Sequence, residues 1–251
     1  MEAYEYGKMF GLEDSLWWYR GLRRHFQEAL RRANLPGDAM VLDAGCGTGA
    51  NLALLSRTFT RAVGCDLSES AVRFSTERGL KRVLVADVNH LPFKSGVFDG
   101  VLCSDVLECA EVDERSAVGE LARVSRAGAR IILSASAYPF LMSEHDRAVH
   151  SVRRYSARGL EEAVSVPGMQ IVAARHLFGF FFLPIVAYRL LRRAFRRGDR
   201  PGGPQSDLFA LPRFVNELLF GVARLEVAVS RVIRLPFGTT LLVEMRRTAA
   251  H

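Results

Sequence analysis

The chain has no apolar run long enough to cross a bilayer, which takes about 20 residues. The very apolar stretch Leu177–Ala187 is too short and is interrupted by Pro184. Cysteine is scarce. Cys46, Cys65, Cys103 and Cys109 form no C-x-x-C pair and no zinc-ligand spacing, so no disulfide framework and no metal site is expected. They read as reduced, buried thiols of a cytoplasmic protein. The start, M-E-A-Y-E-Y-G-K, is acidic and aromatic and lacks the basic and apolar regions of a signal peptide. No internal repeat is present, which excludes a solenoid. What the chain does have is length and positive charge. Its 251 residues suffice for one large α/β domain or a domain with an elaboration. The net charge is +7. Much of the excess is local: Arg189, Arg192, Arg193, Arg196, Arg197 and Arg200 crowd one stretch, against a protein-wide basic surface.

From Met40 onward short apolar runs alternate with amphipathic segments. Strands are expected near 40–44, 61–65, 82–86, 98–103 and 129–135, with helices near 49–58, 68–78 and 114–126. Repeated βα units with right-handed crossovers make a parallel, doubly wound sheet. Met169–Ala174 and Thr239–Met245 read as sixth and seventh strands. Residues 1–39 precede the sheet, with a helical pattern over 21–33.

At 41–49 the chain reads V-L-D-A-G-C-G-T-G. A strand ends in Asp43, and Gly45, Gly47 and Gly49 follow at alternate positions before a helix. Glycine removes Cβ where backbone and ligand nearly touch and permits positive φ. Open α/β sheets bind ligands at the carboxyl ends of their strands. The pyrophosphate turn G-x-G-x-x-G is absent, and the preceding acid repels phosphate while suiting an ammonium. The segment resembles the S-adenosylmethionine (SAM) motif of class I methyltransferases. Three further strand ends agree. Asp66, in G-C-D-L-S, matches the acid that holds the ribose diol. Asp87 and Val88, in A-D-V, match the residues that meet adenine. F-D-G-V at 98–101, then Leu107-Glu108, resembles the small-molecule group of the family (the type-11 methyltransferase domain), where histidine commonly follows the glutamate. Here Cys109 stands there, and no catalytic role is assigned to it. The resemblance implies a Rossmann-like seven-stranded sheet, mostly parallel with one antiparallel edge strand, and SAM as cofactor. The cofactor wall then comprises Asp43, Gly45, Cys46, Gly47, Asp66, Leu67, Asp87, Val88 and Ser104. Motifs of the Asp-Pro-Pro-Tyr kind, found in amino-group DNA methyltransferases, are absent, which speaks against a DNA substrate.

The acceptor region is less defined. Trp17-Trp18-Tyr19-Arg20-Gly21 and the H-D-x(4)-H-x-R-R-Y pattern of His145, Asp146, His150, Arg153, Arg154 and Tyr155 resemble a bacterial subgroup of the family. His145 or His150 is a candidate general base. Arg153 and Arg154 suit a phosphate or carboxylate. The alternative is a structural network holding the loop. Trp18 and Tyr19 read either as a lid over SAM, with Arg20 on its carboxylate, or as aromatics packing on the domain. The expected organisation is a helical lid over 1–39, a SAM-binding domain over 40–175 and 239–247, and an apolar, basic helical insertion over 176–238. In the insertion, 185–197 forms a basic amphipathic pattern, Gly198–Gln205 a breaker-rich loop, and 213–234 a second helical pattern. It suits an anionic membrane surface, a pocket wall or a homodimer contact. The function expected is methylation of a small or lipid-like acceptor at oxygen or carbon. The alternatives are an RNA or protein methyltransferase docking through the arginines and a non-catalytic SAM-binding partner protein.

Overall fold

Apolar side chains at consecutive positions mark strands buried on both faces, and the computed structural model, which describes residues 3–194 and 206–248, bears this out. Helices α1 (Ala3–Leu12) and α2 (Trp17–Ala33) precede β1 (Met40–Ala44). Then come α3 (Ala50–Thr58), β2 (Arg61–Asp66), α4 (Glu69–Glu77), β3 (Val83–Val85), β4 (Phe98–Ser104), α5 (Glu114–Val124) and β5 (Ser125–Ser136). The short helices α6 (Glu144–Ala148) and α7 (Ala157–Ala163) lead to β6 (Met169–Leu177). Helices α8 (Phe182–Ala194) and α9 (Arg213–Val229) lie between β6 and β7 (Thr240–Arg247).

The seven strands run β3-β2-β1-β4-β5-β7-β6. The first five are parallel to their neighbours, and β7 is antiparallel to both β5 and β6. Strand order reverses between β1 and β4, which opens a crevice at their carboxyl ends. Alternation along each strand feeds two cores. Leu42, Val101, Ile131 and Val243 face α5 and α7, while Val41, Leu102, Ile132 and Leu242 face α2, α3 and α9.

The N-terminal segment is therefore more than a lid. In α2 the buried Leu22, Phe26 and Ala29 recur at helical spacing and belong to the second core, with α9 packed alongside. Only α1 and the first turns of α2 reach the crevice. Glu226 of α9 is fully buried, accepts from the backbone N–H groups of Phe178 and Phe180, and so ties the insertion to the end of β6. Without it both amides would lack a partner, at a cost of about 1–3 kcal/mol each. The loop 198–205, Arg196, Arg197 and Arg200 lie outside the described residues, as do the side chains of Arg192 and Arg193.

Candidate active site

Between β1 and α3 the backbone turns through Gly45, Cys46 and Gly47. The N–H groups of Gly45 and Cys46 both donate to the carbonyl of Cys65, at 2.8 and 2.9 Å, which fixes the loop to the end of β2. Gly45 and Gly47 have φ of 76° and 55°, in the left-handed region. A Cβ on Gly45 would collide with Val106, and one on Gly47 would lie 2.9 Å from the Met9 methyl of α1. The turn thus needs glycine both for conformation and for space.

Asp66 closes this turn. Its Oδ2 accepts from Gly47 N at 2.8 Å and its Oδ1 from Ser68 N at 2.9 Å. A carboxylate oxygen has two lone pairs, so each can still accept from a hydroxyl. Ser68 also caps α4 through Ala71 N. Asp87 accepts from Asn89 N at 2.8 Å, which holds its carboxylate at the end of β3. Gly45, Cys46, Gly47, Asp66, Leu67, Asp87, Val88 and Ser104 all border one cavity of about 680 Å³.

Asp43 does not border it. Successive side chains of a strand point to opposite faces, and this one is fully buried. Burial, then the carboxylates of Asp66 and Glu13, push its pKa up to about 8. Of the expected cofactor wall, Asp43 is thus the member that the cavity does not reach.

The opposite wall of the cavity is assembled from distant segments. Tyr6 and Met9 come from α1, and Leu16, Trp17, Trp18, Tyr19 and Arg23 from the start of α2. α1 is pinned over the glycine turn by Glu13, whose carboxylate accepts from the Thr48 hydroxyl and from Arg78. Trp17 packs on Phe181 with ring centroids 4.4 Å apart, and Trp18 stacks on Phe178 at 5.8 Å. The aromatics therefore both line the cavity and pack on the domain.

At the floor, the turn after β4 places two acids side by side. Asp105 takes a φ of 55° and accepts from the hydroxyls of Ser104 and Ser134, at 3.3 and 3.1 Å. Glu108 accepts from Ser136 N through Oε1, while its buried Oε2 has no partner. Burial, then the charge of Asp105, push the Glu108 pKa up to about 8. Burial raises the Asp105 pKa as well, and the hydrogen bonds from Ser134 and Ser104 oppose that shift. Beside them the Cys109 thiol is pushed up to about 12, by burial and then by Glu108, and stays protonated.

Asp146 organises the third side. It accepts from Arg154 Nη2 at 2.6 Å and Nε at 2.9 Å, and from the Ser143 backbone and hydroxyl in a capping box. Arg189 of α8 reaches the Leu141 carbonyl and lies 3.4 Å from Asp146. His145 accepts from Asp207 N at 3.1 Å through Nδ1. That bond places the ring proton on Nε2, and burial lowers the imidazole pKa. The neutral ring is thus a donor toward the cavity rather than a ready base.

Besides Asp43, four expected site residues lie outside the cavity wall. His150, with a φ of 58°, pairs with Glu111 at 3.3 Å. Arg153 pairs with Glu114 at 3.2 Å. The Tyr155 hydroxyl donates to the Leu107 carbonyl. In this extended stretch Arg154 faces inward and its two neighbours face away, as period-two alternation requires. Arg20 pairs with Glu217 of α9 through both guanidinium nitrogens and covers the Phe220 ring. Arg23, one turn later, lines the cavity instead. Sequence reasoning also missed Asp105, Glu108 and the inward Arg189. The one usable signal was the acid in the Leu107-Glu108 pair.

Residues 42–133 match the family described as a methyltransferase domain. The matched segment runs from β1 into β5. The cofactor is SAM, and the glycine turn, Asp66 and Asp87 fit that ligand. Among curated proteins the chain is similar to a malonyl-[acyl-carrier protein] O-methyltransferase of Herminiimonas arsenicoxydans, with 42% identity over 38% of this chain and 36% of that protein. It is also similar to a tRNA (carboxymethyluridine(34)-5-O)-methyltransferase of Arabidopsis thaliana, with 33% identity over 40% of this chain and 25% of that protein. Matches of this kind span well under two thirds of those relatives' length. In fold it resembles a chain of the Haloferax volcanii complex between the Trm112 methyltransferase activator and a methyltransferase. That match has a TM-score of 0.62 and 21% identity, over 96% of this chain and 93% of the other.

Proposed function

We propose that the protein transfers a methyl group from SAM to a small or lipid-like acceptor held in the same cavity, at oxygen or carbon. The observation that supports this best is the continuity of the space. One cavity joins the glycine turn, Asp66 and Asp87 to Glu108, His145, Arg154 and the aromatics of α2. When bound, SAM supplies an electrophilic methyl group. Everything else falls to the protein's own side chains. Asp66 accepts from the ribose hydroxyls, Asp87 and the Val88 amide meet adenine, and Arg23 meets the carboxylate. α1 excludes water over the turn, and alignment for in-line attack supplies much of the acceleration. Glu108 Oε2 takes the acceptor proton, its raised pKa placing it near working pH. His145 Nε2 donates to an acceptor oxygen. Arg154 and Arg189 hold an anionic part of the acceptor, and Ile185, Leu208 and Phe209 hold an apolar part.

The reading assigns Arg23 the role expected of Arg20. Arg23→Ala should weaken SAM binding about tenfold or more in calorimetry, the size of one charge-assisted hydrogen bond. Arg20→Ala should leave it essentially unchanged. The reverse result would return Arg20 to the site.

The reaction is tested by incubating the protein with methyl-labelled SAM and fractionated host extract, followed by mass identification of labelled species. Label should enter an apolar small-molecule fraction. The likeness to a tRNA methyltransferase favours one second reading, methylation of RNA docked on the arginine-rich segment. Label found only in RNA would establish it instead. Among the described residues no helix is long and apolar enough to cross a membrane.

A further inference from the structure

Helix α9 has two apolar stripes on opposite sides. One, Phe220, Ala223 and Val227, is buried toward α2. The other, Phe214, Leu218, Gly221, Leu225 and Ala228, continues to Val232 in the following turn, and every member is exposed. Its steps alternate between four and three residues, so these side chains share one face. Phe214 is 79% exposed and Val232 88%. On α8, Leu183, Leu190 and Leu191 are exposed as well. Of the nineteen large apolar side chains exposed among the described residues, thirteen lie within 176–238. Monomeric proteins rarely leave such a concentration in water without a partner.

Charge selects the partner. Residues 176–238 contain ten arginines and four acids, six of the chain's seven net positive charges. A second copy docked through this face would set two such segments against each other. A nucleic acid would meet the arginines but leave aliphatic side chains such as Leu218, Leu225 and Val232 in water. A bilayer with anionic headgroups satisfies both features, because apolar side chains enter the acyl boundary while arginines stay at headgroup level.

The cavity opens toward the same segment. Tyr188 and Phe209 both line it, and both are more than half exposed. We infer that the outer face of α9, with the outer side of α8, docks on an anionic lipid surface with α9 lying in the interface. The docking stands independently of the reaction. Only the delivery of an acceptor from the lipid phase through the Tyr188–Phe209 mouth rests on the methyl-transfer reading.

The test is flotation of the full chain with phosphatidylcholine vesicles, with and without phosphatidylglycerol. The protein should float with the anionic vesicles only, and less so as salt rises. The double variant Leu218→Asp, Leu225→Asp should lose at least about tenfold in bound fraction, since charge is costly at such an interface. Both sites are exposed, so melting temperature and SAM affinity should stay at wild-type values and report an intact fold. Absence of flotation with anionic vesicles overturns the inference. So does a double variant that floats as well as wild type, or a solution dimer that the variant converts to monomer. If methyl incorporation fails while flotation persists, the reaction reading falls and the docking surface stands.

Discussion

Asp66→Ala should weaken SAM binding by about 100-fold or more in calorimetry, the largest affinity loss expected from any single side chain of the cofactor wall. Two effects add. In the proposed site the carboxylate supplies acceptors for two ribose hydroxyls, and hydrogen bonds to a charged group contribute about 1.5–3 kcal/mol each. It also holds the glycine turn, through Gly47 N and Ser68 N. Removing it leaves the Gly47 amide without its partner while the turn must still approach the ligand. Asp66→Asn separates the two effects. It retains one oxygen acceptor and should recover part of the affinity. Unchanged affinity in the alanine variant would remove Asp66 from the ribose site, and with it the assigned orientation of the cofactor.

Glu108→Gln should lower kcat by about 10²–10⁴-fold while SAM affinity stays close to wild type, as loss of a general base predicts. The pH profile provides the sharper reading. Glu108 is protonated in the free protein below about pH 8, because burial and then the charge of Asp105 disfavour its ionised form. A base must be ionised to act. In the wild type kcat/KM should therefore rise with pH and level off above about 8, whereas Glu108→Gln should lose that limb. Stability moves the other way. The folded-state pKa lies above the unfolded value of about 4.3, so this group's contribution is fully present below that value. It declines as pH rises toward 8, where ionisation is forced on a buried site. A glutamine variant with wild-type kcat and an intact alkaline limb would rule out Glu108 as the base. His145 is a poor substitute, because the Asp207 amide already occupies its Nδ1 lone pair.

The donor half of this site was legible because it is local. Each strand end brings its own short motif: the glycine turn after β1, Asp66 after β2 and Asp87 after β3. A parallel sheet places all three ends on one edge, so strand order in sequence became order in space. Chain spacing could not say which way a side chain points. Asp43 occupies the expected strand end yet is fully buried away from the cavity wall. Arg20 and Arg23 are one turn apart in α2, and the packing of α9 draws the first to Glu217 and leaves the second at the cavity. His145 and His150 lie five residues apart in one motif, and the left-handed backbone at His150 separates them.

The acceptor wall was illegible for a different reason. It is built from residues of α1 and α2, the turn after β4, the 141–154 loop, α8 and the 207–211 segment. No single stretch contains its pattern. Arg189 illustrates this: in the chain it belongs to a basic run, but the packing of α8 against the 141–146 loop turns it toward Leu141 and Asp146. The sequence by itself determined the sheet, the glycine turn and the methyl donor, because apolar periodicity and strand-end motifs act over a few residues. Only the tertiary structure decided which acids lie side by side, which arginines line the cavity and which apolar face stays in water. Those properties depend on burial and on neighbours drawn from distant parts of the chain.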